Sequence, residues 1–283
     1  MNTKTIAIQG YQGSFHDEAA HRYFSSEPIH ILPCDRFQDI AYHLKQGSCD
    51  LGLMAIENSI AGTLLQNYRI LRESQLHVLG EVYLRIEHNL LGQKGSRLEQ
   101  IEQIASHPMA INQCLEFLKA YPNCQLISSI DTALSAKEVA DGGDGGHACI
   151  ASAKAAEVYD LEILAPGIET NKENYTRFFL VSHEKPSEQE GNKASIYMKI
   201  TDKRGRLLEV LQKVDHHQIN LSKLQSYPVL GALREYYFHM DLEFDHMEQF
   251  DLAFRDISKS IGETSILGIY DRKDFEITKK SVR

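Results

Sequence analysis

Short aliphatic runs alternate with capped, helix-spaced segments along residues 4–181, and that alternation admits few folds. A strand that returns to its sheet through a helix lies parallel to its predecessor, so the pattern predicts α/β layers. Residues 4–8 predict a first strand. Ser14, three residues before Asp17, predicts the N-cap of a helix to about residue 24. A strand over 29–32, a helix capped by Asp35 through 44, a buried strand over 51–56 and a helix over 62–72 complete one α/β unit with a parallel sheet. A second unit follows. It has an extended stretch over 78–91, a capping pair at Ser96 and Glu99, and a strand over 104–106. Pro108 opens a helix to about 121, followed by a strand over 126–128 and a helix over 132–140. After the glycine-rich connection 141–146 come a strand over 148–150, a helix capped by Ser152 to 159, and a strand over 176–181.

Residues 183–193 are polar and predict a linker. Beyond them the rhythm changes. A strand over 195–200, an amphipathic helix over 206–216, strands over 221–226 and 235–242, a helix over 250–261 and a strand over 265–270 give the order βαββαβ. That order is the ferredoxin-like signature, a fold that by itself assigns no ligand.

A net charge of -9 argues against a nucleic-acid surface, which needs a basic face, but leaves room for a small anion held by a few local donors. The five cysteines form no CxxC pair, so neither a metal site nor a disulfide framework is expected, and buried thiols in a reducing compartment are. No apolar run approaches the ~20 residues of a membrane helix. The first residues carry no apolar signal core, so a cytoplasmic protein is expected.

Four segments could carry chemistry. Gly10-Tyr11-Gln12-Gly13-Ser14-Phe15 joins the first strand to the first helix, and reads either as a ligand-approaching loop or as a tight βα turn. Glu57-Asn58-Ser59 with Gly62 follows a buried strand, where α/β sheets hold ligands, though Asn58 or Ser59 could simply cap a helix. Ser106 through Gln113 again runs from a strand end into a helix, and Gln113 could be a solvated amide. Asn174-Tyr175-Thr176-Arg177-Phe178 sets an arginine beside a hydroxyl at a strand start, as carboxylate recognition requires, or as an edge strand tolerates. His88, His107, His216 and His217 pair with no nucleophile in a known pattern and are read as structural.

Together these segments, with Leu84-Arg85-Ile86-Glu87-His88-Asn89-Leu90 and Asp131-Thr132-Ala133, resemble the prephenate dehydratase family in the family's own order. The C-terminal module resembles the ACT regulatory domain. The resemblance implies a two-lobed catalytic domain over 1–182, similar to periplasmic binding proteins. Lobe one would take 1–76 plus 166–182 and lobe two 77–165, followed by the linker 183–193, an ACT domain over 194–275 and a tail over 276–283.

The resemblance also implies a reaction: prephenate loses CO₂ and its ring hydroxyl and becomes aromatic. Aromatisation drives it, so no cofactor is expected. Thr176 would donate a hydrogen bond to the departing oxygen, Arg177 would lie near a substrate carboxylate, and Asn58 and Gln113 would complete the catalytic shell. Glu57 would be either a proton donor of raised pKa or the anchor of the next helix. Ser59, Gly13, Ser14, Ser106, Thr132 and Phe178 would contact substrate. Phenylalanine would bind between two ACT modules at Gly205, Leu207, Asn220, Leu221 and Ser226, implying a homodimer or homotetramer through the ACT and catalytic domains. Here the chain reads Gly205-Arg206-Leu207 where the family has Gly-Ala-Leu, and Gln225-Ser226-Tyr227-Pro228 where it has Glu-Ser-Arg-Pro. Arogenate as the substrate, or a two-lobed binding protein without catalysis, are the alternatives.

Overall fold

The computed structural model describes residues 3–25, 27–142, 145–187 and 189–273. The expected tail over 276–283 lies outside them. Its contacts divide the chain into two compact units, 1–62 with 84–178, and 63–83 with 179–283.

The first unit carries two α/β lobes of the kind seen in periplasmic binding proteins. In the first lobe, β1 (Lys4–Gln9), α1 (Phe15–Phe24), β2 (Ile29–Cys34), α2 (Phe37–Gln46) and β3 (Leu51–Asn58) follow the predicted alternation. β1 pairs parallel to both β2 and β3. Ile6, Ala7, Ile8, Leu53, Met54 and Ile56 are buried with Ala19, Ala20 and Ile40 of the covering helices. Ser14 caps α1 through its side-chain oxygen, as its spacing to Asp17 predicts. After β3 come β4 (Gly62–Thr63) and α3 (Leu65–Glu73), which starts three residues later than the spacing suggests because 62–63 are drawn into the sheet beside β3.

The extended stretch over 78–91 is two strands, β5 (His77–Arg85) and β6 (Asn89–Gly92), separated by Ile86, Glu87 and His88. The second lobe continues with β7 (Gln103–Ser106), α4 (Pro108–Gln113), α5 (Leu115–Leu118), β8 (Gln125–Ser128), α6 (Thr132–Gly142), β9 (His147–Ala151), α7 (Ala153–Tyr159) and β10 (Glu162–Ala165). β11 (Tyr175–Ser182) then returns to the first sheet, whose order is β2-β1-β3-β11-β5 with β4 beside β3.

The second sheet runs β10-β6-β9-β7-β8. It is mixed: β7 pairs parallel to β8 and β9, but β6 pairs antiparallel to β9 and β10. β6 enters directly from β5 through a three-residue bend, so no helical crossover fixes its direction. The single helix expected over 108–121 is broken at Cys114. The carbonyl of Gln113 accepts the Thr170 amide at 2.8 Å, a tertiary bond invisible to helical periodicity. β10 was not anticipated either. It is a four-residue strand with a register shift against β6.

The C-terminal module forms β12 (Lys193–Thr201), α8 (Arg206–His216), β13 (Asn220–Pro228), β14 (Glu235–Glu243), α9 (Met247–Ser260) and β15 (Glu263–Tyr270), in the predicted order. Its sheet runs β13-β14-β12-β15, the ferredoxin-like arrangement. Ile196, Met198, Met240 and Leu242 of one sheet face pack on Val210, Val214, Phe250, Ala253 and Ile257 of the two helices. The alternate residues meet α3 and β5 within the same unit. Arg72 lies 3.6 Å over the Tyr237 ring and donates to the Tyr227 hydroxyl at 2.9 Å. Tyr68 packs on His239 at 4.5 Å, and the buried Lys193 and Glu81 form an ion pair at 3.0 Å. Among the described residues no helix is long and apolar enough to cross a membrane.

Candidate active site

The end of β3 and the start of β11 lie side by side. Ser59 N–H donates to the Tyr175 carbonyl at 2.8 Å, its hydroxyl donates to the Glu173 carbonyl at 2.8 Å, and Tyr175 N–H donates back to that hydroxyl at 3.0 Å. Ser59 thereby fixes the register. Side chains alternate along a strand, so Asn58 and Thr176 share one face while Glu57 and Arg177 share the other. The distances agree. Asn58 Nδ2 lies 3.0 Å from Thr176 Oγ1, and Arg177 Nη1 lies 3.3 Å from Glu57 Oε1. Arg177 is only 2% exposed, so its charge is met by the protein's own carboxylate from the neighbouring strand.

On the Thr176 face five side chains form one hydrogen-bonded chain, and backbone groups fix its polarity. Ile60 and Ala61 N–H both donate to Asn58 Oδ1, at 2.9 and 2.8 Å. Backbone N–H can only donate, so the Asn58 nitrogen must face the other way. It donates to Asn174 Oδ1 at 2.7 Å and to Thr176 Oγ1, and also lies 3.2 Å from the Tyr175 carbonyl. Asn174 is therefore oriented with its nitrogen toward Gln113 Oε1, at 2.9 Å. That oxygen also lies 2.8 Å from His88 Nε2, which must carry the proton.

Two consequences follow from this polarity. Thr176 Oγ accepts from Asn58, so its own hydrogen is directed away and can be donated. Gln113 has its oxygen doubly engaged, and its amide nitrogen makes no bond among the described residues. The site thus presents a hydroxyl donor and an amide donor, the equipment needed to stabilise negative charge on a bound oxygen.

His88 and Gln113 are held from behind by residues 168–174. Glu169, fully buried, accepts the His88 N–H at 3.0 Å and the Arg85 guanidinium at 3.1 Å. Ile168 N–H donates to the His88 carbonyl at 2.7 Å. Burial lowers the His88 pKa below its ordinary value, with the Gln113 bond and the Glu169 charge opposing, and so favours the neutral ring.

The other residues named from the sequence have local partners. Gly10 (φ +95°) and Gly13 (φ +87°) let the turn before α1 approach the second lobe: a Cβ at Gly10 would lie 2.7 Å from Asp131 Oδ2, and one at Gly13 would lie 2.9 Å from Ala155 Cα. Gly13 also accepts the Ser152 hydroxyl at 2.6 Å. Ser14 is buried as the cap of α1, Ser106 donates to the Ile150 carbonyl at 2.6 Å, and Thr132 is buried at the start of α6. Phe178 packs its ring edge-on to His16 in the core. Asn174 and His88 are the members of the chain that were not named as site residues, His88 having been read as structural. Asn174 stood in the quoted Asn-Tyr-Thr-Arg-Phe run, but only the fold reveals that it bridges Asn58 to Gln113.

In the C-terminal module, Gly205 holds a left-handed conformation (φ +86°) at the start of α8, and Leu207 packs on the core. Asn220 donates to Glu243 at 2.9 Å and Leu221 packs on the core, while Ser226 lies exposed near the other end of the same edge strand, β13.

Known proteins resemble this chain in sequence and in fold. The bifunctional chorismate mutase/prephenate dehydratase of Neisseria gonorrhoeae is 32% identical over 240 residues, covering 84% of this chain and 66% of that protein. Arogenate dehydratase/prephenate dehydratase 1 of Arabidopsis thaliana is 34% identical over 225 residues, covering 79% of this chain and 57% of that protein. The chain spans less than two thirds of both relatives. Among solved structures, the prephenate dehydratase of Arthrobacter aurescens in complex with L-Phe superposes with a TM-score of 0.82 at 26% identity, covering 95% of this chain and 90% of that one. A protein described as GqqA, a novel type of quorum quenching acylase, superposes at 0.85 with 30% identity, covering 94% of this chain and 97% of that one. The prephenate dehydratase family model matches residues 6–186, from β1 through the whole of β11 and its network, and this chain belongs to the prephenate dehydratase family.

Proposed function

We propose that this protein is a prephenate dehydratase, a carbon–oxygen lyase that converts prephenate to phenylpyruvate, CO₂ and water. The observation that carries the reading is the polarity of the Asn58–Thr176 bond, which turns the threonine hydrogen outward. In the reaction the ring–carboxylate C–C bond breaks, its electron pair moves into the ring, and the ring C–O bond breaks. The departing oxygen takes a proton and leaves as water. Thr176 hydrogen-bonds that oxygen as negative charge builds on it. Threonine is a weak acid, so the proton itself comes from solvent through this contact. The Gln113 amide donates to a second substrate oxygen. Arg177, paired with Glu57, contributes positive charge behind β11 and holds the strand that carries Thr176; this pairing favours a structural role for Glu57 over a proton donor, though it holds β11 and not the helix that follows β3.

Arogenate is the second reading for the substrate, because curated relatives at 34% identity carry arogenate dehydratase in their names. It shares the ring chemistry, and none of the residues above distinguishes the two side chains. The C-terminal module is read as an ACT domain that binds phenylalanine between two copies of the chain. The L-Phe complex of a structural relative and the edge position of β13 support this. A cytoplasmic setting agrees with five free cysteines.

The test is turnover of prephenate and, separately, arogenate by purified protein, with Thr176→Ala beside it and phenylalanine added to a third sample. Wild-type turnover, a loss of roughly a hundredfold or more in the variant and inhibition by phenylalanine are expected. Saturable binding without turnover of either substrate would favour a binding protein, and hydrolysis of an acyl amide in its place would favour the acylase chemistry named for GqqA.

A further inference from the structure

We infer that His88 is a positioning residue of this site: its Nε2–H locks the Gln113 amide with the nitrogen facing the substrate. The inference rests on the dehydratase reading and adds to it a residue that acts through another. Gln113 Oε1 has two donors, Asn174 Nδ2 and His88 Nε2. With both in place, a flipped amide would set N–H against N–H at Asn174, and the flip is closed off. Without His88 a single bond opposes rotation about the last side-chain torsion, which is broad in free glutamine. The flipped amide would offer its oxygen to a dianionic substrate, where a donor is needed.

The imidazole is built for this task. It is 3% exposed, with Phe15 edge-on at 5.3 Å. Its backbone is pinned on both sides, by Glu169 on the N–H and by Ile168 on the carbonyl. Its Nδ1 is buried and has no partner among the described residues, so the bond to Gln113 is the ring's only polar contact there. A histidine kept for packing alone would be replaceable by an apolar ring at no loss of polar contacts. This one leaves a nitrogen unsatisfied in order to aim the other.

Two measurements test the assignment. Nitrogen-15 spectra of histidine-labelled protein report the tautomer directly: Nε2–H with bare Nδ1 is expected, without titration of that ring through pH ~6.5. An Nδ1–H tautomer, or a ring that titrates there, overturns the inference. Steady-state kinetics on prephenate then separate positioning from packing. His88→Leu is expected to lower kcat roughly tenfold or more with a smaller change in KM, and His88→Gln, which can place an amide N–H against Gln113, to recover most of the loss. Equal losses in the two variants, or kcat that tracks unfolding temperature across both, assign His88 to structure alone and overturn it. A wild-type protein that leaves prephenate unchanged removes the dehydratase reading beneath it, a result distinct from an active wild type whose His88 variants match it.

Discussion

At the residue scale the site depends on which atom of each amide faces which neighbour. Asn58 shows this most sharply. Asn58→Asp preserves size and still accepts the Ile60 and Ala61 amides, but it presents an oxygen to Thr176 where the native chain presents N–H. The threonine hydroxyl would turn to donate to that oxygen, and its hydrogen would be lost to the substrate. A drop of roughly a hundredfold in kcat is expected, with the circular dichroism spectrum unchanged; wild-type kcat in Asn58→Asp would contradict the polarity argument. Thr176→Ser, which keeps the hydroxyl, is expected to retain most of the activity that Thr176→Ala loses. Much of this face could be read from the sequence. Asn58 and Thr176 stood out as polar residues at strand ends, but Gln113 lies in the helix after β7, and the roles of all three came from the resemblance to the prephenate dehydratase family. Asn174 and His88 were not legible as site residues. A histidine between Glu87 and Asn89 has no periodic signature, and its role depends on Gln113, 25 positions away.

At the element scale, tertiary bonds redraw what local pattern proposes. The break in the helix after Gln113 and the late start of α3 both come from partners far along the chain, Thr170 in one case and the β3 edge in the other. The division of the chain is likewise set by packing: α3 and most of β5 group with the βαββαβ module, although in sequence they sit inside the α/β part. Strand β5 brings Glu81 to Lys193 at full burial, and removing Glu81 leaves the buried ammonium with the more distant Glu243, at 3.5 Å. Glu81→Ala is expected to cost about 3–5 kcal/mol in chemical denaturation, and a change below about 1 kcal/mol would show that the contact carries little stability.

The same module contains a pH-sensitive element. Arg72 always donates, so the Tyr227 hydroxyl accepts from it and donates to His239 Nε2 at 3.0 Å. Burial pushes the His239 pKa down to about 3. Below pH ~6.5 the unfolded chain therefore binds a proton that the folded chain refuses, and stability is lost as pH falls from there toward 3. His239→Gln keeps an acceptor for Tyr227 and cannot titrate. It is expected to flatten the stability profile between pH 6.5 and 4.5 by up to about 1.4 kcal/mol per pH unit, measured as the difference from wild type. Parallel profiles would mean that His239 is protonated in the folded protein.

At the scale of the whole molecule, one unit carries the Thr176 network between its two α/β lobes, and the other is a ferredoxin-like module with β13 at one edge of its sheet. Family membership rests on residues 6–186, and the single measurement that bears most directly on the proposed reaction is phenylpyruvate formation from prephenate by the purified chain, followed by its absorbance in alkali. Turnover by the wild type, abolished or reduced at least a hundredfold in Thr176→Ala at equal folded content, is the expected result. Turnover that survives Thr176→Ala unchanged would contradict the role given to the outward-facing hydroxyl, and no turnover of prephenate or arogenate by the wild type would contradict the catalytic reading itself.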